Sequence, residues 1–365
     1  MKYMKANYRI CTNKKIVLFF LQSGVGGAER ITVRIARMLP EATYEPIFVV
    51  VGREVGPITK FIPSKYRVIH IKLSNIWQLG TLRIFSLIKS IKPATVFCSS
   101  MYLNARVCLA AHILGNIRII LRNCNYMSTQ RFDKTLLCRF TYPFADVIVS
   151  QQDDMTEDIL RVLGVDNKKI FTLHNPIDTE TIQKCLDIND INPYEIKGSI
   201  NYTWVGRFTR AKGQDLLVDA FKYVHEKNPN SHLYMVGKFN EEDDYYKLIK
   251  KKISIYGLTK NVHISGFDSN PYKWIKYSDC FVLPSRIEGL PNTLIEAQYL
   301  GKPCAATRCI PIIERIVIDG ETGFTAESQN PCDLAEAMIK AVKLKRIVMK
   351  YKPATDIEFV KLFEQ

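Results

Sequence analysis

An α/β fold built as two parallel-sheet halves is what this 365-residue chain predicts, on three observations. Short apolar runs alternate with helix-length amphipathic stretches, which favours parallel strands joined by crossover helices on both faces of a sheet. The pattern is interrupted near the middle by a run of turn formers and then begins again. A hydrophobic content of 47% over this length is enough for two ordinary domains, each with its own core.

In the first half, strand-like runs fall at 16–21, 47–51, 68–71, 95–98, 117–121, 147–149 and 170–173. The segment 187–194 is rich in Asp, Asn and Pro and marks a linker at 188–199, after a first domain over 1–187. A second domain is expected over 200–344, with strands at 202–205, 233–236, 262–264 and 280–283. Leu216, Leu217, Ala220, Phe221 and Val224 trace the apolar face of one of its helices. Two Rossmann-like domains follow, each presenting a ligand-binding edge at the carboxyl ends of its strands, with the site expected in the cleft between them.

Composition narrows the function classes. The ten cysteines stand at no metal-ligand or C-x-x-C spacing, so they read as buried thiols in a reducing compartment. The apolar run 16–21 behind the basic start is too short for a signal-peptide core or a membrane span, and no other run is longer. A soluble or membrane-surface protein is expected. The formal net charge of +15 suggests an anionic partner, yet no zinc-finger, RNP-like or helix-turn-helix pattern supports nucleic acid. Gly24, Gly26 and Gly27 lack the third glycine of G-x-G-x-x-G at its required offset, which argues against a nicotinamide dehydrogenase.

The most informative segment is 285–296. It leaves the 280–283 run, turns through Gly289 and Pro291, and enters an apolar-periodic helix at Thr293. Glu288 lies in the turn, and Glu296 lies about two helical turns further on, so both carboxylates can face one space. A helix N-terminus between them, at Asn292 and Thr293, adds N–H groups and partial positive charge, with the amides of Gly289 and Leu290 beside it. Such a set can hold a sugar, a diphosphate and a ribose. Gly206, Arg207 and Lys212 stand on a loop before the helix at Gln214, where two cations can neutralise charge growing on a diphosphate leaving group. The bland alternatives are a solvated turn carboxylate and solvated loop cations.

Glu288 and Glu296, spaced Glu-x7-Glu, closely resemble the signature of the retaining GT-B glycosyltransferases of family 4. Further resemblances follow in order: Gly24-Val25-Gly26-Gly27-Ala28-Glu29 to the family's glycine loop, and His174-Asn175-Pro176-Ile177-Asp178 to the close of its first domain. Gly206-Arg207-Phe208 with Lys212-Gly213 resembles its diphosphate clamp, and Ile264-Ser265-Gly266-Phe267 a later strand-turn. The resemblance, which extends to bacterial surface-polysaccharide transferases, implies the GT-B fold: two Rossmann-like domains facing each other across a cleft. It implies transfer of a hexosyl-type sugar from a nucleoside diphosphate sugar, UDP first, with no cofactor and no metal. Glu296 would hold the ribose, Glu288 with Gly289 and Leu290 the sugar, and Arg207 with Lys212 the diphosphate, so that Glu288, Arg207 and Lys212 are the catalytic candidates. On the acceptor side, Leu121-Arg122-Asn123 resembles a Glu-Arg-Asn segment, with Leu in place of Glu and without the His that other members carry nearby. The segment 345–365 is expected, as a family habit, to return to the first domain. A sugar-nucleotide epimerase or a non-catalytic nucleotide-binding member are the alternatives.

The positive charge gathers early in the chain. Arg30, Arg34 and Arg37 recur at helical spacing, joined by Lys2, Lys5, Arg9, Lys14 and Lys15 and by Arg131, Lys134 and Arg139. This suggests a first domain resting on the inner face of an anionic membrane, on its cytoplasmic side, to reach a polyprenyl-diphosphate-linked saccharide. The stretch 82–92, where Leu82, Ile84, Phe85, Leu87 and Ile88 alternate with Arg83, Lys89 and Lys92, reads rather as a helix covering the sheet.

Overall fold

The computed structural model describes residues 13–364, other than 25, 53, 55, 74–79 and 197 and the side chain of Tyr102. Lys2, Lys5, Arg9 and Val25, noted above, lie outside the described residues. The chain divides into two compact units: residues up to Pro176 together with those from Pro353, and Ile177–Lys352. The first crossing therefore falls after Pro176, ahead of the 188–199 stretch expected from composition, and that stretch lies inside the second unit. Turn formers mark a break in secondary structure, but here the chain has already crossed before the last helix that precedes them.

The first unit runs β1 (Lys15–Gln22), α1 (Gly27–Met38), β2 (Tyr44–Gly52), β3 (Arg67–Lys72), α2 (Gly80–Ile91), β4 (Thr95–Cys98) and α3 (Met101–Leu114). It continues through β5 (Arg118–Arg122), α4 (Phe132–Thr141), β6 (Val147–Ser150), α5 (Asp153–Leu163) and β7 (Ile170–Thr172). Among the described residues its strands form one parallel sheet in the order β3-β2-β1-β4-β5-β6-β7. Strand order reverses between β1 and β4, so the loops leaving these two strands flank the natural ligand site of such a sheet. Central strands read as unbroken apolar runs because helices cover both faces: Val17 to Leu21 are all buried.

The second unit runs α6 (Thr179–Ile188), β8 (Ile200–Val205), α7 (Gln214–Lys227), β9 (Ser231–Val236), α8 (Asp244–Ile255), β10 (Val262–Gly266) and α9 (Pro271–Tyr277). Then come β11 (Cys280–Leu283), α10 (Asn292–Tyr299), β12 (Cys304–Thr307), α11 (Ile312–Ile316), β13 (Gly323–Ala326) and α12 (Pro331–Ala341). Its strands, again parallel among the described residues, are ordered β10-β9-β8-β11-β12-β13, with the reversal between β8 and β11. Two strands, β12 and β13, were not expected from the sequence, and they extend the sheet beyond β11.

The chain ends in α13 (Asp356–Glu364), which belongs to the first unit. Phe359, Leu362 and Phe363 are buried there, and the Phe363 ring packs 5.9 Å from Phe97 and 6.0 Å from Phe19. Tyr44 donates to the Phe363 carbonyl at 3.0 Å and Arg118 to the Leu362 carbonyl at 2.9 Å, satisfying carbonyls of the helix's last turn. Arg34 on α1 donates from Nη2 to both carboxylate oxygens of Asp356 at 2.9 Å, and Arg30 lies over the Phe61 ring at 5.7 Å. The α1 arginines expected to face an anionic partner are thus turned in part onto the unit's own residues, because α13 and the turn at Pro57–Phe61 both pack on this helix. On α2, Ile84, Ile88 and Ile91 are buried and Leu82 is exposed, so this helix does cover the sheet.

Candidate functional site

In the second unit the loops leaving β8 and β11 carry the expected donor-binding residues, at the point where strand order reverses. The β8 loop turns sharply through 210–212 to Gly213, whose φ of +69° places it in the left-handed region just before α7. A Cβ at Gly213 would stand 2.0 Å from the Pro284 carbonyl oxygen, so only glycine lets this turn press against the end of β11. The backbone N–H of Arg286 then donates to the Ala211 carbonyl at 2.8 Å, stitching the two loops together. After β9, Gly237 lies so close to Gly206 that a Cβ there would meet the Gly206 oxygen at 1.6 Å.

That stitching brings Lys212 and Glu288 into contact. The Lys212 ammonium donates to Glu288 Oε1 at 2.6 Å and Oε2 at 2.7 Å, and Ser285 Oγ donates to Oε1 at 2.7 Å. The Glu288 side chain is 5% exposed against 29% for Lys212, so the carboxylate is held inside and the ammonium reaches it from a wetter position. A carboxylate buried to this degree needs such partners, and three of its roughly four lone-pair directions are used. The remaining one is on Oε2. Thr307, at the end of β12, fixes Ser285 by donating to its carbonyl at 2.6 Å. Cys309, following the same strand, has its thiol pushed up to about 12 by burial and then by the Glu288 charge, so it stays protonated at neutral pH.

A second pair lies beside the first, three residues after Lys212 and two before Glu288. Arg286 grips Asp215 on α7 with Nη1 at 2.7 Å and Nη2 at 2.9 Å, and the Tyr245 hydroxyl donates to the same carboxylate at 2.6 Å. Burial works to raise Asp215, but the hydrogen bonds from Arg286 and Tyr245 prevail and hold it below the usual carboxylate range. Gln214 donates to the Arg207 carbonyl at 2.8 Å, which fixes the backbone beneath an exposed Arg207 side chain. Asn292, Thr293 and Glu296 are half-buried on α10, Gly289 is half-buried ahead of it, and Leu290 is buried in the core beneath. The structure thus joins Lys212 to Glu288 and sets Arg207 and α10 on the same rim of the sheet.

In the first unit, Gly24 is exposed with no heavy atom near where a Cβ would stand, while Gly26 and Gly27 open α1. Arg122 and Asn123 are each 1% exposed at the end of β5. Arg122 donates to Asn175 Oδ1 and to Cys124 Sγ, the latter at 2.9 Å, and Gln151 donates to the Asn123 carbonyl at 2.9 Å. These two residues, expected to face an acceptor, instead brace the loops that leave β5, β6 and β7. Glu314 is exposed on the short α11.

Sequence reasoning passed over Ser285, Asp215, Tyr245 and Thr307. Ser285 and Arg286 stand inside the most informative segment and so had a signal. Tyr245 and Thr307 had none, since each reaches the site only through the fold.

Residues 189–355 match the family model of glycosyl transferases group 1, and residues 25–181 match that of glycosyltransferase family 4. An uncharacterized glycosyltransferase of Methanocaldococcus jannaschii is 29% identical over 244 residues, 63% of this chain and 59% of that protein. The N-acetylgalactosamine-N,N'-diacetylbacillosaminyl-diphospho-undecaprenol 4-alpha-N-acetylgalactosaminyltransferase of Campylobacter jejuni is 24% identical over 371 residues, covering 93% of each chain. The crystal structure of Anabaena HepE with UDP and glucose superimposes with a TM-score of 0.73 at 17% identity, over 95% of this chain and 97% of that one. With one such model on each parallel-sheet unit, the chain belongs to the GT-B fold glycosyltransferases of group 1 and family 4.

Proposed function

We propose that the protein transfers a sugar, with retention of anomeric configuration, from a UDP-sugar to a polyprenyl-diphosphate-linked saccharide during assembly of a bacterial surface polysaccharide. The observation that carries the reading is the Lys212–Glu288 pair, its carboxylate buried where strand order reverses and braced by Ser285. UDP and glucose bound by HepE support the donor, and the diphospho-undecaprenol substrate of the Campylobacter relative supports the acceptor.

In this reading Glu288 accepts a donor-sugar hydroxyl on Oε2 while Lys212 and Ser285 hold the carboxylate in place. Lys212, with three N–H donors, shares its charge between Glu288 and the donor diphosphate. Arg207 adds a second cation, so leaving-group charge is met without a divalent ion. Glu296 holds the ribose, with Asn292, Thr293 and the Gly289 and Leu290 amides around the sugar and diphosphate. The bond from the anomeric carbon to the diphosphate oxygen breaks as the acceptor oxygen bonds to that carbon from the same face. The acceptor proton passes to the departing diphosphate oxygen. The acceptor is held by the first unit near Gly24, Gly26 and Gly27, with Arg122 and Asn123 positioning the loops, at the inner face of an anionic membrane.

Thermal unfolding with UDP, GDP, ADP and NAD, repeated on Glu296→Ala, tests the donor side. A nucleotide at a hundred times its dissociation constant should add about 2.7 kcal/mol, and losing ribose hydrogen bonds should remove roughly 1.5–3 kcal/mol of binding. A UDP shift that weakens in the variant supports the reading and directs a screen of UDP-sugars for transfer. A response to NAD alone would favour a nicotinamide enzyme and sink it.

A further inference from the structure

α4 leaves uncovered the side its sequence makes most apolar. Phe132, Leu136, Leu137 and Phe140 are 80%, 56%, 40% and 64% exposed, while Cys138 and Thr141 turn into the unit. At about 100° per residue the four exposed side chains cover roughly 140° of the helix surface. Single exposed leucines are ordinary on a soluble protein, but four large side chains on a ten-residue helix form a contiguous patch. On α3, the helix that packs on α4, Ile113 is 63% exposed as well. The helical spacing puts Arg139 at one margin of the apolar arc and Lys134 at the other, and Arg131 precedes the helix with its side chain 77% exposed. The one carboxylate within the arc, Asp133, is held by Arg131 at 3.2 Å.

We propose that α4 is the element by which the first unit docks on an anionic lipid bilayer, with Phe132, Leu136, Leu137 and Phe140 entering the headgroup boundary and Arg139, Lys134 and Arg131 engaging acidic headgroups. A short helix with aromatic and leucine side chains on one face and cations at its margins is the form of an interfacial helix. The formal net charge of +15 favours this partner over a second copy of the chain, since a two-fold contact on this patch would set both groups of cations against each other. The inference rests on the function reading above only for the choice of a membrane as partner.

Co-sedimentation with vesicles of phosphatidylcholine alone, and of phosphatidylcholine with phosphatidylglycerol, tests it. The wild type should partition onto the phosphatidylglycerol vesicles and only weakly onto the neutral ones. Phe132→Ser with Phe140→Ser should lower that partitioning by at least about tenfold. Arg139→Ala should lower it about fivefold at low salt. Both sites are exposed, so the melting temperatures and the UDP response of the variants should match the wild type. Equal partitioning of wild type and double variant overturns the proposal. So does a wild type that ignores anionic vesicles, or one that dimerises through this patch, with the dimer lost in the double variant. The vesicles carry no saccharide, so loss of the UDP response in every protein, with vesicle binding intact, would remove the transferase reading and leave the docking surface standing.

Discussion

Lys212 and Glu288 hold each other in a way that makes one residue's removal more costly than the removal of both. Without Lys212, Glu288 is a carboxylate 5% exposed with Ser285 as its remaining partner, and an uncompensated buried charge destabilises by several kcal/mol. Because the Lys212 end is 29% exposed, water can enter and reduce the penalty, so Lys212→Met is expected to cost about 1–3 kcal/mol in urea unfolding. Adding Glu288→Gln to that variant should restore about half of the loss or more, and strict additivity in the double-mutant cycle would contradict a direct pair. The Asp215–Arg286 pair gives a prediction in pH. The folded-state Asp215 is lowered, so its stabilisation is present above the unfolded value near 3.9 and disappears as pH falls through the lower folded value. Asp215→Asn should therefore cost about 1–2 kcal/mol at pH 7, and the gap to wild type should close below about pH 4. A gap that persists unchanged into acid would mean the residue acts by shape rather than charge.

Elements were legible in the sequence where burial on both faces leaves a long apolar run, and illegible where the run is short and small. β1 and β2 announce themselves through Val17 to Leu21 and Ile47 to Val51, all buried. β12 reads Cys304, Ala305, Ala306, Thr307, fully buried yet without a β-branched or aromatic run, because small side chains suffice between β11, β13 and the alanine-lined face of α12. The loops leaving β8 and β11 were legible for the opposite reason: glycine, proline and charge stand there where secondary structure asks for none of them. Arg122 was legible as a residue but not in its setting, since burial at 1% follows from the packing of β5 among its neighbours. For α13 only the resemblance pointed back to the first unit, and its side chains carry the weight of that return. Phe363, 2% exposed among Phe19, Phe97 and Tyr44, should cost about 3–5 kcal/mol on conversion to Ala. The exposed end of the Arg34–Asp356 pair should contribute less, about 0.5–1 kcal/mol for Asp356→Ala. A Phe363→Ala loss under about 1 kcal/mol would mean that α13 is peripheral to the core.

At the scale of the molecule the two units are built differently along the chain. The second, Ile177–Lys352, is contiguous and contains both the β8 and β11 loops, whereas the first waits for the residues from Pro353 to complete its core. Phe359, Leu362 and Phe363 together bury apolar surface worth about 5–9 kcal/mol, comparable with the whole stability of an ordinary domain. A chain ending at Lys352 should accordingly lose amide hydrogen-exchange protection across 15–172 and keep it across the strands of the second unit. Residues 177–352 expressed alone should unfold cooperatively and, if UDP is the donor nucleotide, respond to it, because Lys212, Glu288 and Glu296 are all within that span. The separation is sharp enough to fail in either direction. Protection of 15–172 that survives the truncation would show that the first sheet closes its core without α13. A fragment 177–352 that folds yet ignores UDP, while the full chain binds it, would show that residues of the first unit form part of the donor site.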